Sequence, residues 1–213
     1  MSDARTPLVT LFDYGAGNLH SLAKALERAG AAVRVETDAA AAVADTDALV
    51  LPGVGAFAAA AERLEPGRAA IRDAVAAGLP TLGICLGMQL LFEASDEGPG
   101  AGLGLVPGRV TRLRARRVPQ IGWNTVEPVD TLHPDPLLAA SALTTAYYAN
   151  SFVCRPADAE AERHVTAWSE HEGDRFPAAM RVGRAVGVQF HPEKSSGPGV
   201  LMVAAWVRSL EDR

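Results

Sequence analysis

Cysteine is scarce in this chain: among 213 residues there are two, Cys85 and Cys154. So few exclude a disulfide framework, and without any C-x-x-C spacing they exclude the common zinc and dithiol motifs. A reducing compartment, the cytoplasm, is the expected location, and neither a metal nor a cofactor is expected. Positive charge is also short. Lys and Arg number 20 against 25 Asp and Glu, a formal net charge of -5, whereas a nucleic-acid binder is usually basic. The first residues, Met1 to Arg5, are polar and lead straight into a strand-like run, so no signal peptide is expected. Long apolar runs are rare, and the one candidate, Ala74 to Phe92, is interrupted by Gly78, Pro80, Gly83 and Gly87. It reads as a buried strand and the start of a helix, and no membrane span is expected.

What is present is globular. Hydrophobic residues make up 48% and charged residues 21%, with no compositional sign of disorder. No linker or repeat interrupts the chain, so residues 1–213 read as one domain.

The central stretch is Gly83-Ile84-Cys85-Leu86-Gly87, with a short apolar run before it and helical spacing after it, up to Phe92. That is the layout of a nucleophile elbow with cysteine at its tip. A nucleophile on a sharp strand-to-helix turn has a strained backbone, and glycines two residues to either side keep neighbouring Cβ atoms from colliding. Unpaired N–H groups and the positive end of the helix dipole favour negative charge there. The Leu86 N–H is placed to hold an oxyanion on a substrate. The bland alternative is a small buried cysteine at a helix start, with glycines there for packing.

Upstream, the pattern alternates. Leu8 to Asp13 is a strand, followed by a glycine turn and an amphipathic helix from Leu19 to Gly30. Gly15-Ala16-Gly17 is no dinucleotide fingerprint, because His20 takes the place of its third glycine. Ala32 to Glu36 and Ala48 to Leu51 are expected strands, with a short alanine-rich helix from Ala39 to Ala44 between them. Helices are expected up to Leu64 and from Ala69 to Ala77, and Pro80 to Ile84 is the strand before Cys85. Alternation of this kind implies right-handed crossovers and a parallel sheet, with functional loops at the strand carboxyl ends. Asp13-Tyr14, the turn at Gly53 and Gly55, and Cys85 all fall there. The two glycines leave backbone N–H groups free to face a ligand, or form a plain loop.

The second half is richer in β. After a glycine- and proline-rich connection from Glu97 to Gly108, strands are expected over Arg109 to Thr125, Thr145 to Cys154, His164 to Trp168, Ala178 to Val182 and Ala185 to Phe190, and a last helix over Val200 to Leu210. The five arginines from Arg109 to Arg117 read as the solvated side of a strand, or a docking face for an acidic partner.

A nucleophilic cysteine needs a base, and the base needs an orienting group. His20, His133, His164 and His171 fit solvated surface roles. His191 differs: it ends the apolar run Val186-Gly187-Val188-Gln189-Phe190, and Glu193 two residues on is placed to orient its ring. Taken alone, the pair also fits an ordinary strand-end turn.

Gly83 to Gln89 together with Gln189-Phe190-His191-Pro192-Glu193 resembles the class I (triad) glutamine amidotransferases. Asp13 to Leu19, Leu51 to Phe57, Gly87 to Phe92, Gly102 to Leu105, Gly122-Trp123-Asn124 and His191 to Ser195 resemble one branch, the glutaminase subunits of imidazole glycerol phosphate synthases. The likeness runs from about Val9 to the final helix. It implies a flavodoxin-like α/β domain with a mostly parallel central sheet flanked by helices, and added strands in the second half. It also implies hydrolysis of L-glutamine, with Cys85 as nucleophile, His191 as base and acid, and Glu193 as its partner. The backbone N–H groups of Val54 and Leu86 would form the oxyanion hole after a flip of the Gly53-Val54 peptide. Gly53, Gly55, Gln89, Glu97 and Ser151 would hold the substrate. Asn18, Trp123 and Lys194 would dock on the cyclase subunit, in a heterodimer that passes ammonia through a channel for histidine biosynthesis.

Two features depart from the family. Asn150 and Phe152 stand where His and Tyr are usual, and the segment Glu170 to Phe176 matches no family pattern. The rival readings are the glutaminase of vitamin B6 or anthranilate synthesis, and a catalytically silent partner-binding module. Gly53 to Phe57, Met88 after the elbow glycine and Trp123 argue against the first; an intact Cys85, His191 and Glu193 argue against the second.

Overall fold

The computed structural model describes residues 5–15 and 19–211. Ala16, Gly17 and Asn18 lie outside them, and with them the Asn18 part of the expected partner face. The first half follows the alternating pattern: β1 (Leu8–Phe12), α1 (Leu19–Arg28), β2 (Ala32–Glu36), β3 (Ala48–Leu51), α2 (Phe57–Leu64), α3 (Arg68–Ala76) and β4 (Thr81–Ile84). The elbow leads into α4 (Leu86–Gln89). Then come β5 (Phe92–Ser95), β6 (Val106–Arg112), β7 (Gln120–Thr125), β8 (Glu127–Pro128), α5 (Pro136–Ser141), β9 (Thr145–Asn150), β10 (Phe152–Pro156) and α6 (Ala159–Glu162). The chain closes with β11 (Val165–His171), β12 (Asp174–Val182), β13 (Ala185–Val188) and α7 (Ser196–Arg208).

The main sheet has eight strands in the order β2-β1-β3-β4-β13-β12-β11-β8. From β2 through β13 the neighbours run parallel, and from β13 outward they run antiparallel. Strand β13 therefore joins the two halves of the sequence, adding as a fifth parallel strand beside β4. Period-2 alternation sends successive side chains to opposite faces. Val50 packs with Leu22 and Leu26 of α1 and Trp206 of α7, while Leu49 and Leu51 pack with Phe57, Leu64 and Ile71 of α2 and α3. Each such leucine-sized side chain taken from water contributes about 2 kcal/mol.

Several expectations need correction. Helical spacing after Cys85 gives one turn, not a helix to Phe92. The chain breaks away because Leu90 and Phe92 offer their carbonyls to the N–H groups of Leu103 and Gly104. Ala39 to Ala44 holds only a 3₁₀ turn at Ala41–Val43, where the Asp38 carboxylate takes the N–H groups of Ala40 and Ala41. The expected strand Arg109 to Thr125 is two strands in different sheets, β6 beside β10 and β7 beside β9. Thr145 to Cys154 likewise divides at Ser151. The unmatched segment Glu170 to Phe176 is the hairpin between β11 and β12, and it has a structural task. Glu172 at its tip accepts the N–H groups of Arg116 and Arg117 and pairs with the Arg117 guanidinium, tying the basic segment down. His164 and His171 are half-buried rather than solvated, each with a ring nitrogen on a backbone carbonyl, of Arg181 and Arg117 respectively.

Candidate active site

Three neighbouring parallel strands, β3, β4 and β13, end at one place. Leu51 is opposite Gly83, and Val188 is opposite Ile84. The turn after β3, Cys85 after β4 and the segment after β13 therefore meet at the carboxyl edge of the sheet, the usual location of sites in open α/β sheets. Cys85 is locked to β13 by its N–H, which donates to the Val188 carbonyl at 2.6 Å.

Cys85 has φ 47° and ψ −102°, a conformation that costs a non-glycine residue about 1–3 kcal/mol. Its neighbours make the turn possible. A Cβ at Gly83 would lie 2.7 Å from the Gly87 carbonyl, and one at Gly87 only 2.0 Å from the Leu51 carbonyl oxygen. The elbow is thus wedged against β3 with no space for any side chain. Leu86 is the first residue of α4, so its N–H has no acceptor within that turn.

His191 is buried, and its Nδ1 lies 2.9 Å from Glu193 Oε1. Burial, the largest influence, pulls the imidazole down. Hydrogen bonds to Cys85 and Glu193 and the charges of both outweigh it, and the ring is raised to about 9. With Nδ1 engaged by the carboxylate, Nε2 is the nitrogen left for Cys85. Ser195 holds this corner: its hydroxyl donates to the His191 carbonyl at 2.6 Å and accepts the Tyr147 N–H at 2.9 Å.

The glycine turn packs against the same imidazole, since a Cβ at Gly53 would lie 2.9 Å from His191 Cε1. Tyr14 anchors this turn by donating its hydroxyl to the Pro52 carbonyl. Burial, and then the charges of Cys85 and Asp13, push that phenol well above its usual range, so it remains a donor.

A pocket of about 240 Å³ opens over the sulfur. Gly53, Val54, Gly55, Leu86, Gln89, Glu97, Ser151, His191 and Lys194 are among the residues that line it. The substrate residues expected from sequence thus share one cavity with Cys85. Asn150 and Phe152, the two departures from the family, are in its wall as well. Glu97 has a second task, because one of its oxygens accepts the N–H of Phe57, the first residue of α2, at 2.9 Å. A larger groove of about 740 Å³ runs along α2 past Pro99 and Gly100, away from the triad, and is lined mainly by alanines and prolines.

Trp123 lies elsewhere, 55% exposed on β7. Ile121, two residues before it and 67% exposed, shares its face and was not singled out from sequence. Strict alternation along Gln120–Thr125 is the signal that points to it. Gln189 was also missed. It is fully buried, donates to the Cys85 sulfur at 3.4 Å, and accepts from Gln89 at 3.5 Å. In the sequence it opens the motif Gln189-Phe190-His191-Pro192-Glu193 and is a polar residue closing an apolar run, but neither sign gives it a role.

A thiol beside an imidazole–carboxylate pair, below a pocket with a glycine turn at its rim, is equipped for acyl transfer through a covalent thioester. Cys154 is not so equipped. It is fully buried, and burial, followed by the charge of Cys85, pushes its thiol well above the usual range.

A model of the glutamine amidotransferase class-I family matches residues 10–206. Over 208 residues the chain is 43% identical to the imidazole glycerol phosphate synthase subunit HisH of Mycolicibacterium paratuberculosis, covering 95% of this chain and 98% of that one. The HisH of Nocardia farcinica is 45% identical over 212 residues, with 95% and 98% covered. Among solved structures, a glutamine amidotransferase superposes with a TM-score of 0.69 at 20% identity, covering 96% of this chain and 99% of that one. PurLQS from Thermotoga maritima gives 0.69 at 18% identity, with the same coverage. At such identities the two structures speak for the fold.

Proposed function

Since the chain belongs to the class-I glutamine amidotransferases, and among them to the HisH subunits of imidazole glycerol phosphate synthase, we propose that it hydrolyses L-glutamine for a cyclase partner. Cys85 attacks the side-chain amide carbon, forming a C–S bond and a tetrahedral oxyanion. The N–H groups of Val54 and Leu86 hold that oxyanion, after the Gly53-Val54 peptide turns toward it. The imidazolium of His191 gives its proton to the departing nitrogen, the C–N bond breaks, and ammonia leaves a glutamyl thioester. Water then attacks the thioester, its proton goes to His191, and glutamate is released with the thiolate restored. Glu193 holds the ring in the required tautomer throughout.

Gln89, Glu97 and Ser151 receive the amino-acid end of glutamine. Trp123, Ile121 and Lys194 belong to the face that meets the cyclase. The ring-forming chemistry that uses the ammonia, toward histidine, is the partner's. The whole chain, residues 1–213, is one amidotransferase domain working in the cytoplasm. Its two free cysteines support that location, and no helix among the described residues is long and apolar enough to cross a membrane.

One observation carries the reading: a cysteine in a strained elbow beside a buried His191–Glu193 pair, under a pocket lined by the residues expected to hold glutamine. The test is ammonia release from glutamine by the chain alone and with a cyclase subunit plus its nucleotide substrate. Activity is expected in the full mixture, with the isolated chain nearly idle. An isolated chain that turns over glutamine as fast as the complex sinks the coupling. No ammonia in any mixture, with partner binding intact, sinks the glutaminase itself.

A further inference from the structure

A fully buried carboxamide must find partners, because it has left its hydrogen bonds to water behind. Gln189 is such a group, with no exposed surface, at the end of the strand that delivers His191. Its orientation is fixed by a chain of contacts. Gln89 Nε2 faces the Phe152 carbonyl oxygen at 3.1 Å, an acceptor only, so that end of Gln89 is the NH₂ group. The same NH₂ is 3.5 Å from Gln189 Oε1. Gln189 must therefore turn its own NH₂ the other way, where the Cys85 sulfur lies at 3.4 Å.

We propose that Gln189 is a further catalytic residue, whose carboxamide N–H holds the Cys85 sulfur in its attacking direction and carries part of its negative charge. The inference rests on the glutaminase reading above. A thiol is a weak acceptor and a thiolate a strong one, so the contact tightens whenever sulfur is charged: before attack, and again when the thioester is hydrolysed. His191 acts on the same sulfur as proton carrier. Gln189 takes no part in the proton transfer, and so supplies a fixed dipole that needs no reorganisation during the reaction. The Cys85 N–H bond to the Val188 carbonyl holds the ends of β4 and β13 side by side, so Gln189, the next residue, reaches the sulfur.

The experiment uses the complex with the cyclase and compares wild type with Gln189→Met, which keeps length and loses the donor, and Gln189→Glu, which keeps shape. Two quantities are read: the kcat and KM for glutamine, and the rate at which iodoacetamide alkylates Cys85 at fixed pH. Both variants are expected to lose about ten- to a hundredfold in kcat with KM within about twofold, and to alkylate more slowly. A loss confined to KM, with alkylation at the wild-type rate, overturns the proposal and leaves Gln189 as a prop for Gln89. So does wild-type behaviour in both variants.

One arm needs no change at Gln189. Its side-chain amide protons are expected to resist solvent exchange in the wild type and to lose protection in Cys85→Ala; unaltered protection contradicts the contact. A wild-type complex that releases no ammonia refutes the glutaminase reading instead, since alkylation and exchange still read the contact without turnover.

Discussion

The five parallel strands of the main sheet and the strands outside them contribute to the pocket in different ways. Strands β3, β4 and β13 bring Gly53, Cys85 and His191 together through backbone register alone, so their spacing is set by the sheet. The two small sheets, β10-β6-β5 and β7-β9, supply the wall from Asn150 to Phe152 and the exposed face of β7, and a largely buried ion pair braces the first of them. Asp174, almost fully buried, accepts the Arg114 N–H at 2.8 Å and pairs with Arg155 beneath β10. Reacting atoms thus sit on the parallel sheet, while the far wall of the pocket and the exposed face of β7 belong to smaller sheets at its side.

The sharpest way to break this contrast is Gly87→Ala. Its Cβ, on the first turn of α4, would meet the backbone carbonyl oxygen of Leu51 on β3 at 2.0 Å, so one of the two backbones must shift. Loss of glutaminase activity by about 10³-fold or more is expected, with a folding penalty above about 3 kcal/mol. Near-normal activity in that variant would show that the elbow is not wedged. Asp174→Ala should do the reverse, lowering stability by about 2–4 kcal/mol while the folded fraction keeps its kcat. Denaturant unfolding and kinetics at low temperature separate the two effects, and a kcat collapse would show that the wall governs the chemistry.

Trp123→Ala removes exposed surface and one edge-on contact with Tyr147. It should weaken cyclase binding by about tenfold and leave unfolding unchanged, as titration calorimetry would read. The mildest probe is pH. Because the folded value of His191 lies above its ordinary 6.5, its stabilising contribution is complete below about 6.5 and fades as pH rises through about 9. The imidazolium that protonates the leaving ammonia is lost over the same range, so kcat should halve near pH 9 and keep falling. A flat profile to pH 10 would remove His191 from that role.

The same contrast explains what could be read from the chain alone. The parallel half was legible because β1, β3 and β4 are short apolar runs followed by turn residues, and the elbow glycines sit where backbone contact demands them. Strand β5 was not, because Leu90 to Phe92 is as apolar as the turn before it, and only a distant partner, Leu103, breaks the helix. Gln189 is visible as the first residue of its motif, but its contact with Cys85 is not legible, for a related reason. Its polar contacts, Gln89 and Cys85, lie about a hundred residues away, where no spacing rule reaches. The hairpin from Glu170 to Phe176 looked like unmatched sequence, yet it clasps the Arg116–Arg117 backbone through one carboxylate. Ion pairs of that sort leave no periodic trace.

The most direct test of the account is to quench the complex with acid during glutamine turnover and map the peptides by mass. A glutamyl adduct on the Cys85 peptide, absent when Cys85→Ala is treated in the same way, is the result expected. An adduct on Cys154, or rapid ammonia release in Cys85→Ala, would contradict it.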